Sequence, residues 1–547
     1  MRNRFYYVLL FIGLLAFSCK ENPQPEPEPQ PTDIAVTDIS LNKQSITLQT
    51  GETFTLTATV KPNDATDKTV TWSSSDATVA SVTGGEVSAL KAGTATITAK
   101  AGEKSAECAV TVEEAVAEDL YAKAETELLD GDEVQATNPI AEAFVNGVSY
   151  PDKTYNDYTL VLDYYGGFNG KAYNENGEED PAGVTLDWSN CERIWPDGDR
   201  PLKYSIRWTK AELEAGSTMT LKLEDNSGWK GELPIKADMC YVNFSNLVPG
   251  MQYTYTVTID NSSKVLKQGH FSTKASSSLH QVAFNPSCRN GRDLGGWKTL
   301  DGKTVRYHMA YRGGRMQSET VGSAGKNEIR FEGIGAQLDL RGGDRLSSPA
   351  AKGLDFCAPN ILEGGRVMLG VSKPASDVCA EWLKTEQGRS EIDVDKYSPT
   401  AEEYEAFQKA YAGKTKQCFE FVLNSIRAGK GVYFHCSLGR DRTGTLDILL
   451  LGLLGVREGE ISKAYEVTYF APRGYSVSGS EKPNNPEPIF KNTRMAWAYS
   501  DVVPYFWEMA DTNGDGTFAS GVEYYLLNVA QVSQQEIDEF RSLMLMD

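Results

Sequence analysis

The sequence predicts a multidomain chain: two N-terminal β-sandwich modules followed by an α/β domain. Three observations predict it. The chain has 547 residues, and single hydrophobic cores stop growing well short of that length. Between about residues 34 and 275, Thr, Val, Ile and Tyr recur on a two-residue period between turn residues, the pattern of short half-buried strands. From about residue 276 that period gives way to Gly-rich turns, Arg and helical spacing. With 26 Tyr, 20 Phe and 9 Trp the chain can build cores and is not disordered over most of its length. A formal net charge of −21 argues against general nucleic-acid binding, which needs Lys and Arg to neutralise phosphate. It also argues against docking on anionic lipid by charge alone.

Residues 1–19 begin with Arg2 and Arg4, continue through an apolar run from Phe5 to Phe17, and end in Ser18 and Cys19. The run is short for a bilayer span, and the pattern is that of a secretory signal. It resembles a bacterial lipoprotein signal, which implies that Cys19 is lipidated and anchors the mature protein to a membrane. Residues 20–33 place Pro23, Pro25, Pro27, Pro29 and Pro31 at every second position, a semi-rigid extended tether. The expected location is therefore a secreted, outer-membrane-associated lipoprotein, periplasmic or at the cell surface. Disulfides are permitted there, but the nine Cys do not reveal their pairing.

Residues 34–113 alternate through Ile46 and Leu48, then Phe54, Leu56, Ala58 and Val60, and later Ala95, Ile97 and Ala99. The stretch VTWSSSDATVASVTGGEVSALKAGTATITAKAG resembles bacterial Ig-like domains of group 2, which are commonly spacers or adhesion modules. Residues 120–275 are also strand-rich (YTLVLDYYG, MTLKLED, QYTYTVTID). NLVPGMQYTYTV resembles the later half of a fibronectin type III domain. The resemblance implies a corner in which the Tyr253 hydroxyl bonds backbone near Leu247 and Pro249. Trp195-Pro196-Asp197 spells the acid-loop tripeptide of tyrosine phosphatases, but it lies far from the nucleophile below and reads as a Pro-Asp-Gly turn.

Residues 276–547 hold the chemistry. In GVYFHCSLGRDRTGTLDILLLGLLG, Val432, Tyr433 and Phe434 read as a buried strand, and Thr443 onward as an apolar helix. Between them runs Cys436-Ser437-Leu438-Gly439-Arg440-Asp441-Arg442-Thr443. A strand, a tight loop and a helix N-terminus aim backbone N–H groups and the helix dipole into one concavity, an anion site. Gly439 lets the backbone bend close to the ligand. Arg442 offers a planar fork for a phosphoryl group. The same positive field favours thiolate at Cys436, and Asp441 can protonate a leaving oxygen and later activate water.

The spacing Cys-x5-Arg-Thr after a His resembles the signature of the protein tyrosine phosphatase superfamily. The run is similar to the bacterial branch with Cys-x-x-Gly-Lys-Asp-Arg-Thr-Gly, whose members include tyrosine, dual-specificity and phosphoinositide phosphatases. The resemblance implies catalysis by Cys436, Arg442 and Asp441. It implies substrate binding by Ser437, Leu438, Gly439, Arg440 and Thr443, with His435 in support. Arg440 stands where the branch has Lys, a larger fork of the same charge. RNGRDLGG, residues 289–296, resembles the branch's N-terminal run, so Asn290, Arg292 and Asp293 are candidates to brace the loop or to touch substrate, with a structural turn holding a salt bridge as the other reading. Gln337-Leu338-Asp339-Leu340-Arg341 resembles its strand ending in Asp-Leu-Arg.

The fold class expected is thus two β-sandwich modules (Ig-like, fibronectin type III-like) and an α/β cysteine-phosphatase domain with a mostly parallel sheet. The expected function is phosphomonoester hydrolysis on phosphotyrosine or mixed phosphoprotein substrates through a cysteinyl phosphate. Phosphoinositides or soluble inositol phosphates are the alternative substrates. A non-catalytic surface protein that only grips phosphate is the other class, against which the intact Cys436, Asp441 and Arg442 argue. No cofactor and no metal are expected. Asp511-x-Asn513-x-Asp515-Gly516 begins like a calcium loop, but its twelfth position is Val522, so a polar turn is expected. Two helices are expected over 401–412 and 415–428, within a stretch that could form a substrate-selecting wall. The charge is uneven: residues 113–200 hold 21 acidic and 5 basic side chains, whereas residues 281–345 hold 11 basic and 7 acidic. The acidity belongs largely to the middle β segment, and a flank of the expected pocket is locally positive.

Overall fold

The computed structural model describes residues 33–113, 121–147, 149–150, 152–153, 200–210, 213, 217–262, 264–275, 277–284, 289–343, 348–470 and 495–547. The signal with Cys19, most of the tether and Trp195-Pro196-Asp197 lie outside them. The chain divides into two compact units, Met1–Asp119 and Leu120–Asp547.

In the first unit, strands Ser45–Gln49, Lys104–Glu113, Gly93–Ala101 and Thr71–Ser74 form a four-stranded sheet in that order. Thr53–Thr55, Glu86–Ala89 and Ala80–Thr83 form a three-stranded sheet. The alternation seen in sequence sends Ala95, Ile97, Cys108, Val110 and Val112 inward against Leu48, Leu56 and Val87 in one core.

The second unit begins with a β domain. Glu133–Val134, Lys264–Thr273, Gln252–Ile259, Met219–Asp225 and Lys230–Ile235 form a five-stranded sheet in that order. Thr126–Glu127, Tyr204–Arg207 and Tyr241–Phe244 form a second sheet. Both contribute to one core through Ile206, Val242, Leu221, Leu223, Tyr255 and Phe271. The Tyr253 hydroxyl accepts the Val248 N–H at 2.8 Å, which ties the corner near Pro249.

The α/β domain is built on five strands, numbered in chain order: β1 (Arg292–Asp293), β2 (Ala310–Gly313), β3 (Ile334–Asp339), β4 (Asp355–Cys357) and β5 (Gly431–His435). Their order across the sheet is β1-β2-β5-β3-β4. Every pairing is parallel except β1 with β2. Parallel strands need covered faces, and all five residues of β5 are buried. The helices of this domain include α1 (Ser318–Phe331), α2 (Gly365–Met368), α3 (Ala401–Arg427), α4 (Asp441–Leu453), α5 (Glu458–Glu466) and α6 (Met495–Asn513), of which α1, α3 and α4 pack on the strands. The two helices expected over 401–412 and 415–428 are one: α3 runs without a break through Gly413, which is exposed and meets no neighbour. A capping box between Thr400 and Glu403 starts it, and buried Tyr411, Ala412 and Thr415 hold it on both sides of the glycine. The calcium-like run is a polar turn after α6, in which the Asp515 carboxylate accepts the N–H of Thr517 at 3.0 Å and its hydroxyl at 2.6 Å.

The β domain and the α/β domain meet at a buried polar cluster. Phe331, at the end of α1, joins the β-domain core. Trp229 packs on its edge and stacks on His308, with centroids 4.7 Å apart. His308 lies between two buried carboxylates, with Nε2 3.6 Å from Asp225 and Nδ1 3.7 Å from Glu332. Its Nδ1 also faces the Tyr311 hydroxyl at 3.0 Å, and its backbone N–H donates to Asp293 at 2.6 Å. Asp293 in turn pairs with His280 at 3.1 Å. Burial opposes charge on His308, but Asp225 and Glu332, with Asp293 behind them, more than offset it and lift the imidazole to about 9.

A raised folded value makes this stabilisation complete below the ordinary histidine value and lost as pH climbs through about 9. Going from pH 6.5 to 9.5 should therefore weaken the second unit by up to about 3 kcal/mol. Urea midpoints measured across that window should fall for the wild-type chain and stay nearly level for His308→Gln. Equal slopes for the two proteins would rule the ion cluster out as the cause.

Candidate active site

Cys436 follows directly on β5, the middle strand of the five-stranded sheet, and α4 begins at Asp441. The carboxyl ends of parallel strands are where open α/β sheets form ligand crevices, and the loop between them faces the positive end of α4. Ser437 and Leu438 are half-buried, whereas Cys436 is 2% exposed.

The loop rests on the turn after β2. Gly439 has φ +71°, and a Cβ on it would lie 2.4 Å from the Gly313 carbonyl carbon and 2.6 Å from the Gly314 nitrogen. Only glycine fits this approach. The loop's carbonyls are each held from outside. Arg315 N–H donates to the Ser437 carbonyl at 3.2 Å. The Asn290 amide donates to Gly439 at 2.8 Å and Leu438 at 3.3 Å. The Arg312 guanidinium donates to the Gly439 carbonyl and to the Asp447 carboxylate, both side chains being 1% exposed. In a trans peptide the N–H points opposite to the C=O. Holding these carbonyls outward therefore turns the N–H groups of Leu438, Gly439 and Arg440 to the other side.

Arg442 is half-buried, and its Nη1 donates to the Ile361 carbonyl at 2.9 Å. The segment from Ile361 to α2 thus aims the guanidinium. It packs closely there: a Cβ on Gly364 would lie 3.0 Å from the Arg442 nitrogen, and Gly365 N–H donates to the Thr445 hydroxyl at 2.9 Å. Burial and the neighbouring Asp441 would both raise the Cys436 thiol. The Arg442 charge and the hydroxyl and N–H of Thr443 outweigh them and bring the thiol below its ordinary value. Asp441 is 23% exposed, and its carboxylate receives the Arg440 guanidinium at 2.9 and 3.1 Å.

The structure brings Cys436, Ser437, Leu438, Gly439, Arg440, Asp441, Arg442 and Thr443 into one loop and helix turn. His435 sits behind it, fully buried, where burial takes its imidazole down to about 4 despite the nearby Asp339. The run from Asn290 to Asp293 stands apart from the opening. Asn290 grips the loop's carbonyls from behind. Arg292, 2% exposed, directs its guanidinium to Asn290, to the Ala464 carbonyl at 2.6 Å and to Thr468 at 3.2 Å. Asp293 faces His280 and His308. Asn290 thus braces the loop directly and Arg292 through Asn290, whereas Asp293 takes the third reading, a structural turn with an ion pair, to His280.

Sequence reasoning missed Arg312, Asp447 and the Ile361–Gly365 segment. The Tyr-Arg end of β2 was the one visible sign of Arg312, and nothing local marked the other two. Among the described residues no group of three or more His, Cys, Asp or Glu could hold a metal ion, and no helix is long and apolar enough to cross a membrane.

Residues 285–546 match the tyrosine phosphatase family, and residues 35–112 match the bacterial Ig-like domain, group 2. A Cupriavidus necator protein, provisionally named as a tyrosine-protein phosphatase, is 30% identical over 189 residues. The match takes in 34% of this chain and 62% of that protein, so the chain spans less than two thirds of that relative. An Ig-like virion protein of Serratia phage KSP90 is 47% identical over 83 residues, 14% of this chain and 32% of its own length. Among solved structures, domains 5–6 of the S-layer protein SbsC match with 15% identity and a TM-score of 0.13, covering 44% of this chain and 99% of that one.

Proposed function

Because residues 285–546 belong to the tyrosine phosphatase family, we propose that this protein is a cysteine-dependent phosphomonoesterase acting on phosphotyrosine or mixed phosphoprotein substrates. One observation carries the mechanism: a buried thiol held below its ordinary value by Arg442 and Thr443, at the floor of a loop whose carbonyls are tied outward. The phosphoryl group seats on the loop's N–H groups and the Arg442 fork. The Cys436 thiolate attacks phosphorus, the bond to the leaving oxygen breaks, and Asp441 gives that oxygen its proton. Water, deprotonated by Asp441, then displaces the sulfur and releases inorganic phosphate. Asp441 must leave its pair with Arg440 to reach the leaving oxygen, and its partial exposure leaves room for that movement. The basic and apolar run ending in Cys19, with the proline tether, supports display of this enzyme from a lipid anchor outside the cytoplasm.

The test compares the full chain on p-nitrophenyl phosphate, phosphotyrosine peptides, phosphoserine peptides, phosphoinositides and inositol hexakisphosphate. Asp441→Asn should cost about 10²- to 10⁴-fold in kcat on phosphoserine peptides, whose leaving oxygen needs a proton. It should cost far less on p-nitrophenyl phosphate. An equal loss on both would move the acid elsewhere. A higher kcat/KM on the inositol compounds than on any phosphopeptide would replace the proposed substrate class.

A further inference from the structure

One side chain behind the loop belongs to no step above. Gln337, on β3, is fully buried and reaches His435 across the sheet, where β3 and β5 pair. Its amide orientation is settled by two backbone partners of known polarity. Oε1 accepts the Ala350 N–H at 2.7 Å, and Nε2 donates to the Met316 carbonyl at 3.1 Å. The same Nε2 lies 2.9 Å from His435 Nε2. A donor amide requires an acceptor there, so His435 Nε2 carries no proton. The proton of the neutral ring is then on Nδ1, which stands 3.2 Å from the Cys436 carbonyl.

We propose that Gln337 is a positioning residue that holds His435 as the neutral Nδ1–H tautomer, so that the imidazole anchors the first carbonyl of the phosphate loop. The proposal rests on the phosphatase reading of the loop. Because the peptide is planar and trans, a Cys436 carbonyl drawn to His435 turns the Ser437 N–H the opposite way, with the N–H groups of Leu438, Gly439 and Arg440. His435 closes at the start of the loop what Asn290 and Arg312 close further along.

The arrangement also keeps a positive charge away from the back of the nucleophile. Protonating Nε2 would set N–H against the amide N–H₂ of Gln337. The other charged groups on the ring's surroundings are Asp339, whose carboxylate is 3.8 Å from Nδ1, and the cations Arg341 and Arg442. Asp339 is itself held by Arg341, at 2.6 to 3.2 Å. The Tyr433 ring, with its centroid 5.7 Å away, is the aromatic neighbour on β5.

The experiment uses the full chain with ring-¹⁵N histidine. There are four histidines, and a His435→Asn sample assigns the signal. In the wild-type protein, His435 should show the neutral Nδ1–H pattern at every point from pH 5.5 to 9. Gln337→Glu places an acceptor where the donor stood, so His435 should become doubly protonated within that range. Iodoacetamide alkylation of Cys436 at pH 6 should then rise about tenfold, the effect of one unit on a thiol. Gln337→Met, of similar volume, should leave His435 neutral but mix its tautomers, and should lower kcat with little change in KM. A wild-type His435 that is an Nε2–H tautomer, or that titrates in this range, overturns the proposal without any variant having to fold. So does a folded Gln337→Glu protein with unchanged nitrogen spectra and alkylation profile. Neither readout needs turnover. A chain that hydrolyses no phosphomonoester yet shows the Nδ1–H tautomer would overturn the function and leave the role of Gln337 standing.

Discussion

Serine in place of Cys436 should abolish turnover, lowering kcat on p-nitrophenyl phosphate by about 10⁴-fold or more. The field that favours a thiolate at this position, made by Arg442 and Thr443, cannot ionise an aliphatic hydroxyl at neutral pH. The anion site itself survives the change, because its donors are backbone N–H groups and Arg442. Cys436→Ser should therefore still bind inorganic phosphate, with a calorimetric Kd within a few-fold of the wild-type value. A serine variant that hydrolyses within tenfold of wild type would sink the covalent mechanism. A variant that loses phosphate binding as well would show that the sulfur shapes the loop and does not only react.

Arg312→Met should cost about 3–5 kcal/mol of stability, the usual result of removing one member of a buried ion pair. Arg312 and Asp447 are each 1% exposed, and the substitution leaves the Asp447 carboxylate without its cation. That is a large share of the stability of an ordinary domain. The double variant Arg312→Met with Asp447→Leu removes both charges, so much of that stability should return. Activity should not return with it. Arg312 also holds the Gly439 carbonyl, and a methionine cannot donate to it. Thermal or urea unfolding, read beside kcat on p-nitrophenyl phosphate, separates the two roles. A double variant that regains both stability and full activity would reduce Arg312 to a packing residue.

The parts of the site that could be read from sequence are those contiguous in the chain. Cys436, Gly439, Asp441, Arg442 and Thr443 fall within one strand–loop–helix junction. Their spacing carries the resemblance on which the proposed chemistry rests, before any long-range contact is known. The two-residue period of the first unit was equally direct, because an alternating strand names its own inward face. The helix over Ala401–Arg427 was harder. Two helices were expected over 401–412 and 415–428, and the burial of Tyr411, Ala412 and Thr415 on both sides of Gly413 makes them one.

What holds the loop was not legible. Asn290 reaches Gly439 across 149 residues and Arg312 reaches it across 127. Gln337 meets His435 across 98. No local pattern predicts such partners, since each is set by which strands the sheet makes neighbours. Asp293 illustrates the limit: its neighbours in sequence pointed to the loop, but the tertiary structure turned it toward His280 and His308.

By itself, then, the sequence determined that an Ig-like domain precedes a phosphatase-family domain and that Cys436 stands at a strand–loop–helix junction, because these depend on residue type and on spacing along the chain. Only the tertiary structure decided how the loop's carbonyls are held, which tautomer stands behind the thiol, and that the β domain is joined to the α/β domain through His308. Those depend on groups far apart in sequence that become neighbours when the sheet forms, where burial leaves each polar atom little choice of partner.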